Sequence, residues 1–184
     1  MDFSLLRADN LIFIHKWGRK MMLLIQCVIC CLLFTLLILP AQYKDPIKMI
    51  MSYPPGIRKR VEELPQYKGT IKQREKAHIG KKIFGLVFFV FVLSSVAYLS
   101  GCRSFGATFI HVFTLFFVVN VYDLVVLDWG IFCHSKKLRI PGTEDMEKEY
   151  TDYLFHAKGA CIGIALGVVV ALLSGGIIHF FVTA

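Results

Sequence analysis

Four apolar runs, each close to the length of a bilayer-crossing helix, dictate what this chain can fold into. They lie at about 21–40, 83–101, 107–133 and 159–181, and only the third carries charged side chains, Asp123 and Asp128. A hydrocarbon core about 30 Å thick is crossed by about 20 consecutive apolar residues in an α-helix. That helix also satisfies every backbone group internally. The pattern predicts an all-α integral membrane protein: a four-helix transmembrane bundle, one domain over residues 1–184, with an interfacial amino-terminal segment. Phe3, Leu6, Phe13 and Trp17 can share one side of that segment, whose apolar stretch is too short to span. The first run is longer than a signal-peptide core and is followed by no small-x-small cleavage pattern, so it reads as a retained helix.

Composition agrees with this reading. The chain is 56% hydrophobic and 18% charged, where a soluble domain carries about 25% charged residues. A soluble α/β enzyme does not fit. The net charge of +8 points away from nucleic acid, because the basic residues gather in the segments between the apolar runs. Of the 21 Lys and Arg, 11 fall in 41–82 and 5 in 134–158, against 4 before the first span and 1 in the hinge 102–106. The positive-inside rule then sets both long loops in the cytoplasm of a multi-pass cell-membrane protein, against anionic headgroups, with both termini outside. Lys16, Arg19 and Lys20 alone argue the reverse orientation for the first span.

Pro54-Pro55-Gly56 breaks any helix in the first loop, and Ile57–Leu64 can form two helical turns before Pro65. The hinge Cys102–Gly106 is short, which makes spans two and three an antiparallel hairpin. Four of the six cysteines (Cys27, Cys30, Cys31 and Cys161) lie inside apolar runs, where packing is their expected use rather than a disulfide framework. Neither a Walker nor a Rossmann glycine pattern is present.

In the fourth span Gly159, Gly163, Gly167, Ala171 and Gly175 recur every four residues. Such a glycine-zipper row leaves a groove for the backbone of another helix, either within the bundle or in a homo-oligomer. Steps of four drift by about 40° each on a helix of 3.6 residues per turn, so one partner covers only part of the row.

The third span holds the polar intramembrane candidates Asn120, Asp123 and Asp128. Acids within a span cost roughly 2.5–3.5 kcal/mol at the bilayer centre, so they face the bundle interior or water. Asp123 falls about 15 Å inside the cytoplasmic end and Asp128 about 7 Å. On an α-helix Asn120 and Asp123 share a face, while Asp128 lies about 140° away. The structural alternatives are an ion pair from Asp128 to Lys81, Lys82, Lys136 or Arg139, and a hydrogen bond from Asp123 to Ser94, Ser95 or Asn120.

His134 and His156 bracket the last loop and can converge with Asp128 as a metal or proton-transfer site. His111 and His179 fall at similar outer depths, near Gln26 and Cys27, a pairing suited to haem or a transition metal. Each is equally able to bond a neighbouring carbonyl instead. No cofactor is specified by the sequence.

The segments Asp123–Trp129, Pro141-Gly142-Thr143-Glu144 and Phe155–Gly159, with Tyr53-Pro54-Pro55, resemble a family of small bacterial four-span membrane proteins of unknown function. That resemblance implies no activity; it draws attention to the third-span acids and the loop after them. Three functions fit the sequence. The first is a small transport or permeation component using Asn120 and Asp123. The second is an intramembrane enzyme built from Asp128, His134 and His156, and the third a scaffold subunit assembling through the glycine row.

Overall fold

The computed structural model describes residues 3–183, with side chains described at 17–75, 80 and 82–183. Among these residues the regular structure is all helical. It comprises α1 (Phe3–Lys44), a 3-10 turn (Pro46–Ser52), α2 (Pro55–Glu63), a second 3-10 turn (Pro65–Tyr67), α3 (Thr70–Leu99), α4 (Phe105–Tyr122), a π-helix (Asp123–Phe132), a third 3-10 turn (Lys136–Leu138), α5 (Glu147–Tyr150) and α6 (Tyr153–Thr183). Four helical segments are long and apolar enough to cross a membrane: Trp17–Lys44, Lys82–Leu99, Phe105–Phe132 and Glu147–Thr183. Their outward faces are greasy, with Leu99 83% and Phe181 75% exposed. A water-soluble protein rarely leaves contiguous apolar surface of this kind uncovered.

Local chemistry sets the ends of these helices. Gly101 takes a left-handed φ of 84° after α3, and Cys102 N donates to Ala97 O (3.0 Å) and Gly101 N to Tyr98 O (3.0 Å). This Schellman pairing needs a residue tolerant of positive φ. The Ser104 hydroxyl then accepts from Ala107 N at 3.3 Å and starts α4. At the other end of α3 the Glu62 carboxylate accepts from Gly69 N (3.1 Å) and Ile71 N (3.2 Å), an anion on two unpaired helical donors.

Two helices begin earlier than the apolar runs do. α3 starts at Thr70 rather than near 83, because Lys, Arg, Gln and Glu are good helix formers and extend it beyond the greasy stretch. α6 starts at Tyr153, where Asp152 Oδ1 accepts from Phe155 N at 2.9 Å and caps the first turn. α1 runs from Phe3 to Lys44 as one helix that includes Pro40, so the amino-terminal segment and the first span are parts of the same helix. The side chains of Phe3, Leu6 and Phe13 lie outside the described residues.

In the bundle α4 packs most extensively on α6, with α1 and α3 completing the interior. Cys27, Val90, Leu93, Ala97, Val112, Leu115, Val170, Ala171 and Ile178 form its core. The two long loops do not hang free. They fold together into a cap at one end of the bundle, around a second core from Ile50, Tyr53, Ile57 and Val61 of the first loop and Leu138, Ile140 and Tyr150 of the second. Phe132 and Cys133 complete it from the end of the third long helix. The Tyr53 hydroxyl donates to Leu138 O at 3.0 Å. Thr143 Oγ1 donates to Ile140 O (2.8 Å), and the Tyr150 hydroxyl accepts from Ile140 N (2.9 Å) while standing 2.7 Å from Thr143 Oγ1. One proton per hydroxyl then makes Tyr150 the donor to Thr143.

Candidate functional site

The third long helix changes character where its acids begin. For ten residues, Asp123–Phe132, it is a π-helix. Hydrogen bonds that run i to i+5 bring each residue close above the one five before it, and the last of them, Cys133 N to Asp128 O, is 2.9 Å long. Asp123, Asp128 and Cys133 therefore fall in one column. This corrects the α-helical expectation that Asp128 turns about 140° away from Asp123.

His156, in the first turns of α6, faces this column. Its Nδ1 stands 3.1 Å from Asp128 Oδ2, with the imidazole 4% and the carboxylate 27% exposed. The partner of Asp128 is thus a histidine rather than one of the loop lysines or Arg139. Asp123 stands one π-turn before Asp128 on the same helix, and the Cys133 side chain, 1% exposed, sits beside the imidazole. Phe132 and Phe155 close around the ring edge-on, at centroid distances of 5.0 and 5.3 Å. The second ring nitrogen, Nε2, is buried without a hydrogen-bond partner.

Neighbouring residues fix the helices that carry the cluster. Asn120, one turn before Asp123, donates from Nδ2 to Ala160 O at 3.0 Å and ties α4 to α6. The expected bonds from Asp123 to Ser94, Ser95 or Asn120 are not what these side chains make. Ser95 donates to Phe91 O of its own helix (2.9 Å), and Ser94 Oγ has no partner. Tyr122 reaches across to α1, where its hydroxyl stands 2.8 Å from Thr35 Oγ1.

The glycine row lies partly along α4. A Cβ on Gly163 would fall inside the Asn120 amide, one on Gly167 would meet the Phe116 ring at 2.7 Å, and one on Gly175 would meet Phe105 at 3.0 Å. Ala171 is fully buried between them, whereas Gly159 has open space around it. The groove thus has a partner inside the chain over most of the row.

His134 is held away from the cluster. Its Nδ1 lies 2.8 Å from the Trp129 carbonyl, which can only accept, and its Nε2 lies 3.5 Å from the Tyr153 hydroxyl. The Trp129 indole in turn donates to Tyr153 O at 3.2 Å. His111 is buried in the bundle while His179 is exposed on α6, so the two do not share an environment. Among the described residues no group of three or more His, Cys, Asp or Glu is arranged to hold a metal ion.

Sequence reasoning missed Cys133 as a neighbour of His156, Tyr122 as a tie to α1, and the Asp152 cap that brings His156 into α6. Only the last left a signal, an Asp three residues before the Phe155 amide it caps.

Together these features define a class: an all-helical chain with four long apolar helices, a folded cap at one end, and a carboxylate–imidazole cluster where cap and bundle meet. No family model matches the chain, and no curated protein or solved structure matches it either.

Proposed function

We propose that this chain crosses the cell membrane four times with its cap in the cytoplasm, and that it is a small transport or permeation component moving protons through Asp123, Asp128 and His156. The observation that carries the reading is the π-helix, which turns both acids toward one side of the third long helix and sets Asp128 Oδ2 3.1 Å from His156 Nδ1. Acids within an apolar helix are costly and are retained mostly where they serve an ion or proton path. Imidazole is the side chain whose protonation changes most readily near neutral pH, and a carboxylate beside it can pass the proton on. A metal cation wants several free oxygen ligands at once, whereas Asp128 is already engaged by His156, so the proton is the better-suited passenger.

The orientation rests on the 16 Lys and Arg of the two capped loops against 5 elsewhere, summed from the counts above. Cysteine reporters near Lys68 and Glu147 in intact cells test it. Labelling of both by an impermeant reagent applied outside overturns it.

The enzyme reading needs Asp128, His134 and His156 in one site, whereas His134 is held on the Trp129 carbonyl and beside the Tyr153 hydroxyl; this favours proton handling through Asp128 and His156. Purified protein in liposomes loaded with a pH-sensitive dye, driven by a potassium-diffusion potential, is the test. The wild type is expected to pass protons faster than empty liposomes, and Asp128→Asn and Asp123→Asn to abolish the difference while the fold persists, since shape survives and charge does not. Equal flux in wild type and both variants refutes the reading.

A further inference from the structure

Each of the four long helices contributes one buried, unpartnered polar atom to the half of the bundle remote from the cap. They are Gln26 Oε1 on α1, Ser94 Oγ on α3, His111 Nε2 on α4 and Ser174 Oγ on α6. Ser94, His111 and Ser174 are 7%, 8% and 0% exposed. The helices are in register there: Gln26 Nε2 donates to Ser100 Oγ at 2.8 Å, and Gly175 abuts Phe105. Ser94 lies six residues before Ser100 and His111 six after Phe105, about 9 Å at 1.5 Å per residue. All four side chains therefore fall within one slab of the bundle interior.

The hydroxyls depart from the habit of their neighbours. Ser95, Ser100, Thr108, Thr114 and Thr183 each donate to the carbonyl four residues back in their own helix. That bond is the ordinary refuge of a hydroxyl in an apolar helix. Ser94 and Ser174 forgo it although both are buried. Val112, Leu115, Leu93 and Val170, one to four residues nearer the cap than His111, Ser94 and Ser174, are apolar core. About 13 Å of α4 separates His111 from Asn120.

We infer that Gln26, Ser94, His111 and Ser174 form a second polar site, distinct from the Asp128–His156 cluster, whose ligand is water. Its groups are uncharged when the imidazole is neutral, and they include both acceptors and donors. That suits neither a bare cation nor an anion. Water is the guest that both gives and takes hydrogen bonds, several waters can follow one another over about 9 Å of bundle interior, and buried waters characteristically make two to four such bonds to otherwise unpaired polar groups. Left dry, four orphaned polar atoms set a large desolvation penalty against folding. The site does not depend on the proton-transport reading, although it would hydrate the far half of such a path.

Two measurements on the full chain in lipid test the inference. The first is solid-state NMR transfer of magnetisation from water to the His111 ring nitrogens, assigned by loss of the signal in His111→Gln. Build-up faster than at the Val112 amide is expected; build-up no faster than at Val112 overturns the site. The second is the melting temperature of Ser94→Ala and Ser174→Ala, each read against Ser95→Ala, which makes the same exchange of residue type without an interior role. Hydrated hydroxyls lose bonds on truncation, so both variants are expected to melt below the control. Dry, orphaned hydroxyls are better removed, and melting above the control refutes the inference even if one variant fails to fold.

Discussion

Gly163→Ala adds a single methyl at the tightest point between α4 and α6. The new Cβ would occupy the space of the Asn120 amide, so Asn120 must leave its 3.0 Å bond to Ala160 O or α6 must back away. Overpacking of a filled interface costs about 1–3 kcal/mol, and a lost hydrogen bond about 1 kcal/mol more. Alanine returns about 0.5–1 kcal/mol through helix propensity. The net loss is about 1–3 kcal/mol, equivalent to a fall of about 2–12 °C in melting temperature for a chain of this size. Gly159→Ala is the internal control: nothing lies within 4 Å of its Cβ position, so only the propensity gain remains and stability holds or rises slightly. The double variant Gly163→Ala/Asn120→Ala removes the colliding amide and should recover part of the loss, a coupling that a mutant cycle measures directly. Thermal unfolding in detergent or nanodiscs is the assay. Equal melting of the Gly159 and Gly163 variants, or a double variant that is merely the sum of its singles, would show that the α4–α6 contact is not set by this glycine.

Two further outcomes concern the cap and the joint beneath it. Burial holds the Tyr53 phenol well above its ordinary pKa of about 10, so the folded state keeps a proton that the unfolded state gives up. Its contribution to stability is complete below pH ~10 and is lost as the pH rises from there towards the folded-state value. Tyrosinate absorbance followed against pH should therefore show Tyr53 ionising only together with cap unfolding, and ionisation of Tyr53→Phe protein with an unchanged late phase would contradict this. Deleting Val126 shortens the π-helix by one residue and rotates everything after it by roughly a quarter turn. Asp128 and Cys133 should then leave His156, and amide protection at Ile140 and Tyr150 should fall while that of Val112 in the bundle stays; undiminished protection in the cap would rule out the π-helix as its anchor.

The sequence announces the long helices because their apolar content is a property of every residue in the run. Their true starts at Thr70 and Tyr153 were hidden because a helix need not stop where its hydrophobicity does. Thr70–Lys82 is rich in residues that favour helix, and only its charge separates it from the apolar run that follows. The cap is legible in part. Ile50, Tyr53, Ile57 and Val61 recur at spacings of three and four, an apolar stripe within a polar segment. Its mates Leu138, Ile140 and Tyr150 show no period, because a 3-10 turn (Lys136–Leu138), an irregular loop around Pro141-Gly142 and the short α5 present them in turn.

The π-helix could not be read at all, and the cluster depends on it. Asp123–Phe132 is as apolar and unbroken as the α-helix before it, without a Pro or any other local mark of a wider turn; its only glycine, Gly130, is tolerated in either form. What favours the wider turn lies at its two ends. Above, Asn120 and Tyr122 are committed to α6 and α1 through Ala160 and Thr35. Below, Phe132 packs edge-on against Tyr53 at 4.8 Å in the cap core, and Cys133 is buried with it. A regular α-helix between these fixed ends would carry Phe132 and Cys133 round to another side of the bundle. Changing the turn size reconciles two packing demands that no local sequence encodes. The same adjustment stacks Asp123 above Asp128 and turns Asp128 onto His156, so the candidate site arises at the seam where bundle and cap are fitted to each other.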